Sequence, residues 1–365
     1  MKRVFHIISR FDVGGAEAVA INIAKTANDQ YEHHIVELQR GHSRYSKTII
    51  SDLKQKGIAY HRSPFPIYFH LHYYVDRLIS VLFPLRFLLL WLRYRPEVVH
   101  THTEMPDMAL WLSLRMFPFI KVEVVRTIHN TVLWSGMGIV GPRVERFMQS
   151  RGANVAISPN VQRTYCERYG QLPPVIYNGV TPVAQQTYEG LVRGKINICF
   201  AGRFELQKGI SVLCEIVKRL GDDSRFHFHI FGSGSMQGEI DGIRLLPDVT
   251  VNPPLHGLPA YLASFDYLIM PSLHEGLSIL ALEASINGLP LIANSCDGLS
   301  DTLPADWPLT VTDNSLEQWM RLFDRLPSVD RQTLAEQAYE YVDAHFSLER
   351  MQEEYHNIYN RKTNR

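Results

Sequence analysis

Glu275 and Glu283 stand eight residues apart in the stretch HEGLSILALEASINGLPLIA, one before a predicted helix and one inside it. A helix starting near Leu277 or Ser278, after the Gly276 turn, puts their backbones about 12 Å apart. Carboxylate pairs that hydrolyse glycosides sit about 5–9.5 Å apart, so this pair is wide for that chemistry. The spacing suits an elongated ligand. Its anionic middle would meet the helix N-terminus while each carboxylate accepts hydrogen bonds from hydroxyls at one end. A nucleotide sugar has that layout: ribose, diphosphate, sugar.

Arg203 and Lys208 flank a turn after the strand-like INICFAG. Cations are mildly unfavourable beside the positive end of a helix, and a bound anion relieves that conflict. Unit charges 4 Å apart attract by roughly 4 kcal/mol at an effective dielectric of 20, before desolvation, so the pair can hold a diphosphate. Gly14 and Gly15 also follow a strand and precede a helix. They suit close approach of a phosphate, and a plain tight turn explains them equally well. There is no G-x-x-x-x-G-K-[ST] loop. Gly232, Gly234 and Gly238 miss G-x-G-x-x-G by one residue in the last gap, which makes a dinucleotide site a poor reading.

Three histidines complete the candidates. His100 and His102 are spaced as H-x-H, which invites zinc, but the sequence offers no convincing third ligand. His129 closes the strand-like VEVVRTIH and, from the residues alone, reads as a packing histidine.

Short β-rich runs must carry these residues. RVFHII, HHIVELQ, EVVHTH and VEVVRTIH come first, then INICFAG, FHFHIFGSG, YLIMPS and PLIANS. Most are followed by a turn and a helix-like stretch. That alternation predicts parallel sheets covered by helices, with ligands beyond the C-terminal ends of the strands. It breaks once, at Asn178 to Lys195, a polar stretch that reads as a linker between two α/β domains. The stretch FSLERMQEEYHNIYNRK sets Leu348, Met351, Tyr355, Ile358 and Tyr359 on one side of a helix that needs a surface to cover.

The 365 residues carry 37 Lys plus Arg and 37 Asp plus Glu. That balance argues against nucleic-acid binding by bulk electrostatics. Cys166, Cys199, Cys214 and Cys296 are far apart and read as reduced thiols of a cytoplasmic protein. The N-terminus reads as a first strand, without a signal peptide's long apolar run. Arg77 to Pro96 is apolar and aromatic but is interrupted by Pro84 and Arg86, so it is not read as spanning a membrane. Two readings stay open for it. One is a buried, kinked helix. The other is a face at the inner side of the membrane, with Arg77, Arg86 and Arg93 toward headgroups and Phe87 and Trp91 toward lipid.

With these residues in view, the chain resembles the retaining GT-B glycosyltransferases of sequence family four. Glu275 to Glu283 is the family's E-x7-E motif. GGAE (Gly14 to Glu17), VVHTH, VAISPNV, VIYNGV, AGRFELQKG and FGSG look like the family too, in order along nearly the whole chain. FSLERMQEEYHNIY is similar to its C-terminal helix, which crosses back onto the first domain. The resemblance implies an α/β fold of two Rossmann-like domains facing across a cleft. Residues 1–180 with helix 347–365 would form the acceptor domain and 193–346 the nucleotide-sugar domain.

The resemblance also implies roles. Arg203 and Lys208 hold the donor diphosphate, with help from the backbone N–H groups of Gly276, Leu277 and Ser278. Glu283 binds the ribose hydroxyls and Glu275 touches the donor sugar. Gly15 lets the first domain approach the phosphate. His129 contacts the sugar near the reacting carbon, and His102 is placed near the acceptor. The partners implied are a nucleotide-diphosphate sugar and a glycan or lipid-linked acceptor, with no metal or other cofactor required. One departure stands out. The family's glutamate before the lysine is Gln207 here, which leaves Glu205 as the acid that could adjust Lys208.

The reaction implied is sugar transfer with retained anomeric configuration, commonly used in bacterial surface polysaccharide synthesis. Two other readings remain: a nucleotide-sugar epimerase of the same fold, which needs no acceptor, and a nucleotide-sugar binding protein without turnover.

Overall fold

The computed structural model describes residues 1–12, 14–26, 28–65, 72–221 and 223–361, with backbone only at 44 and 72–80. The chain divides into two compact units, Met1–Gly179 with Leu348–Arg365, and Val180–Ser347.

The first unit is built on six strands: β1 (Lys2–Ile8), β2 (Tyr31–Glu37), β3 (Ala59–His61), β4 (Val98–Thr101), β5 (Glu123–Ile128) and β6 (Asn154–Ala156). All neighbours pair in parallel, in the order β3-β2-β1-β4-β5-β6. Parallel strands are covered on both faces, which accounts for the continuous apolar runs. Phe5, Ile7, Ile35, Val98 and Val99 are fully buried. Histidines interrupt this core at His6, His33, His34 and His100, all buried.

The Leu348–Tyr359 helix belongs to this first unit and packs against the Gly15–Ala24 helix. Its apolar stripe buries Met351, Tyr355, Ile358 and Tyr359. The buried phenols are partnered: Tyr355 Oη lies 2.8 Å from Thr127 Oγ1, and Tyr359 Oη lies 2.8 Å from His100 Nδ1. Beneath the sheet, Arg126 of β5 joins two helices. Its guanidinium lies 2.7 Å from Asp107 and 2.8 Å from Glu145, with all three side chains buried.

The second unit repeats the plan with β7 (Ile196–Arg203), β8 (Phe226–Ser233), β9 (Val249–Asn252), β10 (Tyr267–Met270), β11 (Leu291–Asn294) and β12 (Thr310–Val311). They form a parallel sheet in the order β12-β11-β10-β7-β8-β9. The order reverses between β7 and β10, the place where open sheets receive ligands. The stretch read as a linker lies against this unit. Val180 bridges Ser347, Val183 N–H donates to Asn287 Oδ1 at 3.0 Å, and Tyr188 packs on Phe265.

Arg77–Pro96 lies mostly within one helix, His72–Tyr94, which contains Pro84. Among the described residues, no helix is long and apolar enough to cross a membrane. Two side chains assigned to the membrane point inward instead. Phe87 is fully buried, and the Arg86 guanidinium donates to the carbonyls of Glu37 and His61. The inner arginine of this helix is satisfied by these two strand-end carbonyls. Arg77's side chain lies outside the described residues.

Candidate active site

In the second unit the candidates gather where β7 and β10 end. Arg203 is the last residue of β7 and is exposed. The chain then makes a 3-10 turn, Leu206–Lys208, and enters the Ile210–Arg219 helix through Gly209. Gly209 has φ +68°, and a Cβ there would lie 1.9 Å from the Pro271 carbonyl oxygen. Only glycine combines that left-handed backbone with that contact. The turn carrying Lys208 is thereby pressed against the segment that follows β10.

That contact brings Lys208 and Glu275 together. Lys208 Nζ lies 2.7 Å from Glu275 Oε1, and Ser272 Oγ donates to the same oxygen at 2.8 Å. Glu275 is buried, and its N–H donates to the Asp297 carbonyl. Gly298, at φ +76°, backs this turn so closely that a Cβ would sit 2.3 Å from the Glu275 carbonyl oxygen.

Gln207 and Glu205 divide differently from the sequence expectation. Gln207 Nε2 donates to the His274 carbonyl at 3.1 Å, a contact a carboxylate could not make. Glu205 turns to Ser235, accepting from its Oγ at 2.6 Å and its N–H at 3.2 Å. Those bonds hold the Glu205 carboxyl below the usual range, with a smaller effect from Arg203. Lys208 is therefore set by Glu275, not by Glu205.

The Ile279–Ile286 helix begins one residue later than the expected start, with Ser278 as its N-cap; the Ser278 hydroxyl accepts from Ala281 N–H. The Ser278 N–H is already spent on the Gly298 carbonyl at 3.2 Å. Of the expected set of Gly276, Leu277 and Ser278, the Ser278 N–H would have to share or give up this bond to serve a phosphate. Glu283 lies inside this helix, and desolvation pushes its carboxyl up to about 7.

The Gly232-x-Gly234 pair has a structural explanation. A Cβ at Gly232 would lie 2.1 Å from the Gly202 carbonyl oxygen, and one at Gly234 would lie 2.5 Å from that of Phe204. These glycines let β8 close against the turn after β7. Beside them, a concavity of about 400 Å³ is lined by Ser233, Gln237, Arg244, Asn252, Pro253 and Pro254, among others.

In the first unit, Gly15 is exposed and opens the Gly15–Ala24 helix, with extended Gly14 as N-cap. A Cβ at Gly14 would strike the Glu17 carboxylate at 2.1 Å. Burial raises that carboxyl above its ordinary value. A phosphate at this helix start would compete with the Glu17 side chain.

His129 follows β5. Its Nε2 is shut off from solvent and has no hydrogen-bond partner among the described residues, and burial lowers the ring's pKa to about 3. His102 lies beside it, ring centroids 5.9 Å apart. His6, which the sequence reading passed over, supplies the third imidazole that H-x-H spacing lacked: His6, His100 and His102 offer ring nitrogens all within 4.8 Å of one another. Register explains it, since His6 pairs with His100 across β1 and β4.

Most of these nitrogens already have partners. His33 Nδ1 lies 2.9 Å from His6 Nε2, and His6 Nδ1 lies 3.1 Å from His102 Nε2. His100 spends both nitrogens on Tyr359 Oη and Thr127 Oγ1. A metal would have to break this chain. Burial, then the neighbouring imidazoles, hold His6, His100 and His102 well below the ordinary histidine pKa. The chain is therefore one of neutral rings, ending at His33 Nε2 and His102 Nδ1, neither of which has a partner among the described residues.

Comparison with known proteins places the chain. Residues 13–183 match the family described as Glycosyltransferase Family 4, and residues 195–326 match Glycosyl transferases group 1. The chain belongs to the group 1, family 4 glycosyltransferases. The family-four chain is 33% identical over 143 residues to an "uncharacterized 41.2 kDa protein in cps region" of Klebsiella pneumoniae, covering 35% of this chain and 38% of that one. It is 27% identical over 258 residues to a D-inositol 3-phosphate glycosyltransferase of Paenarthrobacter aurescens, covering 58% and 62%. The chain thus spans less than two thirds of the length of either relative.

The fold is that of solved GT-B structures. Anabaena HepE in complex with UDP and glucose matches with a TM-score of 0.77 at 15% identity, covering 98% of this chain and 99% of that one. Sucrose-phosphate synthase from Thermosynechococcus elongatus matches with a TM-score of 0.76 at 16% identity, covering 98% of each.

Proposed function

We propose that this chain is a retaining glycosyltransferase. It moves a sugar from a nucleotide-diphosphate sugar to a glycan or lipid-linked acceptor in bacterial surface polysaccharide synthesis. The observation that carries this reading is the meeting of Lys208 and Glu275 where β7 and β10 end, with Arg203 at the end of β7. The cps-region relative supports the polysaccharide assignment.

Arg203 and Lys208 take the diphosphate. An ammonium has three donors, so Lys208 can keep Glu275 on one and offer the others to phosphate oxygens. The bond from the anomeric carbon to the phosphate oxygen breaks, and charge builds on the leaving diphosphate, where preorganised cations stabilise it. The acceptor oxygen bonds to the same face of that carbon, and its proton passes to a donor phosphate oxygen. Leu277 and Gly276 line the start of the helix that supports the phosphate. Glu283 accepts from the ribose hydroxyls, and Glu275 from the donor sugar. His129 Nε2 suits a sugar hydroxyl, and Gly15 gives a phosphate access to a helix start.

Thermal unfolding with a panel of nucleoside diphosphates and their sugars tests the reading. Ligand at 100 times Kd adds about 2.7 kcal/mol to the state that binds it. A shift with one base identifies the donor, and Arg203→Ala and Lys208→Ala should each lower kcat about tenfold or more. No shift with any nucleotide, or unchanged kcat in both variants, overturns it. Binding without turnover on any acceptor would favour a binding protein, and turnover of donor without acceptor an epimerase.

A further inference from the structure

We propose that His33 and His6 are positioning residues that act through His102: a row of shared ring protons decides whether His102 Nδ1 meets a sugar hydroxyl as a donor or as an acceptor. The hydroxyl's role rests on the glycosyltransferase reading; the row itself does not. Strand register builds the row. His33 of β2 pairs with Val4 of β1, and His6 of β1 pairs with His100 of β4. His33, His6 and His102 therefore each stand two residues further along on the next strand. Steps of two keep side chains on one face of a sheet. Thr101 pairs with Arg126, so the same step from His102 reaches His129 after β5.

Two gaps of this diagonal are closed by hydrogen bonds between rings. His33 Nδ1 lies 2.9 Å from His6 Nε2, and His6 Nδ1 lies 3.1 Å from His102 Nε2. The third gap, with ring centroids 5.9 Å apart, is not closed. It leaves His102 Nδ1 and His129 Nε2 buried and without partners among the described residues.

A neutral imidazole carries one N–H and one lone pair. Only two arrangements satisfy both bonds. Either all three rings hold the proton on Nδ1, or all three hold it on Nε2. Any mixture sets two N–H groups or two lone pairs face to face, and an unmade buried bond is costly. The row reverses as a unit and creates no charge. Its far end, His33 Nε2, also has no partner among the described residues, so no fixed group there imposes a direction. A hydroxyl donates and accepts, so it completes the row in either direction. A carboxylate only accepts and an ammonium only donates. The chemistry selected is a sugar hydroxyl, from the donor sugar or from the acceptor.

The experiment is NMR of the full chain labelled with nitrogen-15 histidine, which separates Nδ1–H from Nε2–H rings. Without ligand, His33, His6 and His102 should show the same proton position or the same average of the two. Differing positions overturn the proposal, and this result needs no variant. The probes are UDP-glucose, GDP-mannose, their nucleoside diphosphates and methyl glucoside. A response of His102 to a nucleotide sugar but not to its diphosphate assigns the hydroxyl to the donor; a response to methyl glucoside assigns it to the acceptor. In both cases His33 should respond with His102 in the wild type and fall silent in His6→Phe. His6→Gln, whose amide has a donor and an acceptor, should restore the response. His6→Phe should weaken binding of the responding sugar about fivefold and leave diphosphate affinity within about twofold. His102 unmoved by every probe, or His33 still responding in His6→Phe, overturns the proposal. A melting temperature raised by a nucleotide sugar that leaves His102 unmoved keeps the glycosyltransferase reading while this one fails. Stoichiometric zinc in the purified chain, lost in His6→Phe, also overturns it, by making the rings ligands.

Discussion

Lys208 Nζ and Glu275 Oε1 are 2.7 Å apart, so a residue assigned to the diphosphate and one assigned to the sugar are joined before either ligand arrives. The pair fixes the lysine's position and leaves part of its donor capacity for a ligand. Removing either partner should therefore have separable effects. Lys208→Ala should weaken nucleoside diphosphate binding about tenfold or more, since a direct charge-assisted contact is lost. Glu275→Gln should change that affinity by less than about threefold while lowering turnover about tenfold. Calorimetry with the diphosphate and steady-state kinetics measure the two. Equal losses of affinity in both variants would reduce Glu275 to a support for the lysine.

If Glu283 accepts from the ribose as proposed, donor binding should depend on pH. Its carboxyl is raised to about 7 by desolvation in the free protein. Ribose hydroxyls donate, so the complex favours the carboxylate and binding must release the proton. Affinity should fall by up to about tenfold per pH unit below 7 and level off above it. Calorimetry in buffers of different ionisation enthalpy counts the proton. Glu283→Gln should bind more weakly and lose the slope; a slope that survives in the variant assigns the proton elsewhere.

The neutral histidines set an acid limit on stability. Burial lowers His33 and His129 to about 3 and His356 to about 4, against 6.5 for free histidine. Below pH 6.5 the unfolded chain takes up protons that the folded chain refuses, so stability falls as pH falls. The loss runs from 6.5 down through the folded values, at about 1.4 kcal/mol per pH unit for each such ring. Urea denaturation between pH 7.5 and 5 should show a slope of several protons. A flat profile would mean the rings already carry charge when folded.

Loss of the Arg126 guanidinium in the first unit has no local remedy. It stands between buried Asp107 and Glu145. Glu145 would keep Trp134 Nε1 and Tyr165 Oη, but Asp107 would lose its cation. Arg126→Met should cost about 3–5 kcal/mol. Denaturant unfolding checks it, and a loss under about 1 kcal/mol would show that the carboxylates become protonated at little cost.

Much of this was legible in the sequence, and the failures have physical causes. Strand–helix alternation is local, and so is the one-sided pattern of Met351, Tyr355 and Tyr359, whose buried face the structure seats on the first unit. The His6–His100 pairing was not legible, because it depends on the register of β1 against β4, strands far apart in sequence. The His72–Tyr94 helix defeated periodicity for a different reason. Phe83 and Phe87 face inward while Leu85 and Leu89 face outward, so both faces are apolar and composition gives no contrast between them. Gln207 stands where the family has a glutamate, and its amide donates to the His274 carbonyl, a partner that no motif spacing names.

The Leu348–Tyr359 helix has a consequence for how the chain comes off the ribosome. The strands of the first unit are made early, but Tyr355 and Tyr359, which partner Thr127 and His100, come only after residues 180–347 have been made. A nascent first unit must therefore wait without this helix and with His100 Nδ1 unpaired while the second unit, whose strands and helices are contiguous, can fold ahead of it. Order of synthesis and order of completion run in opposite directions along this chain.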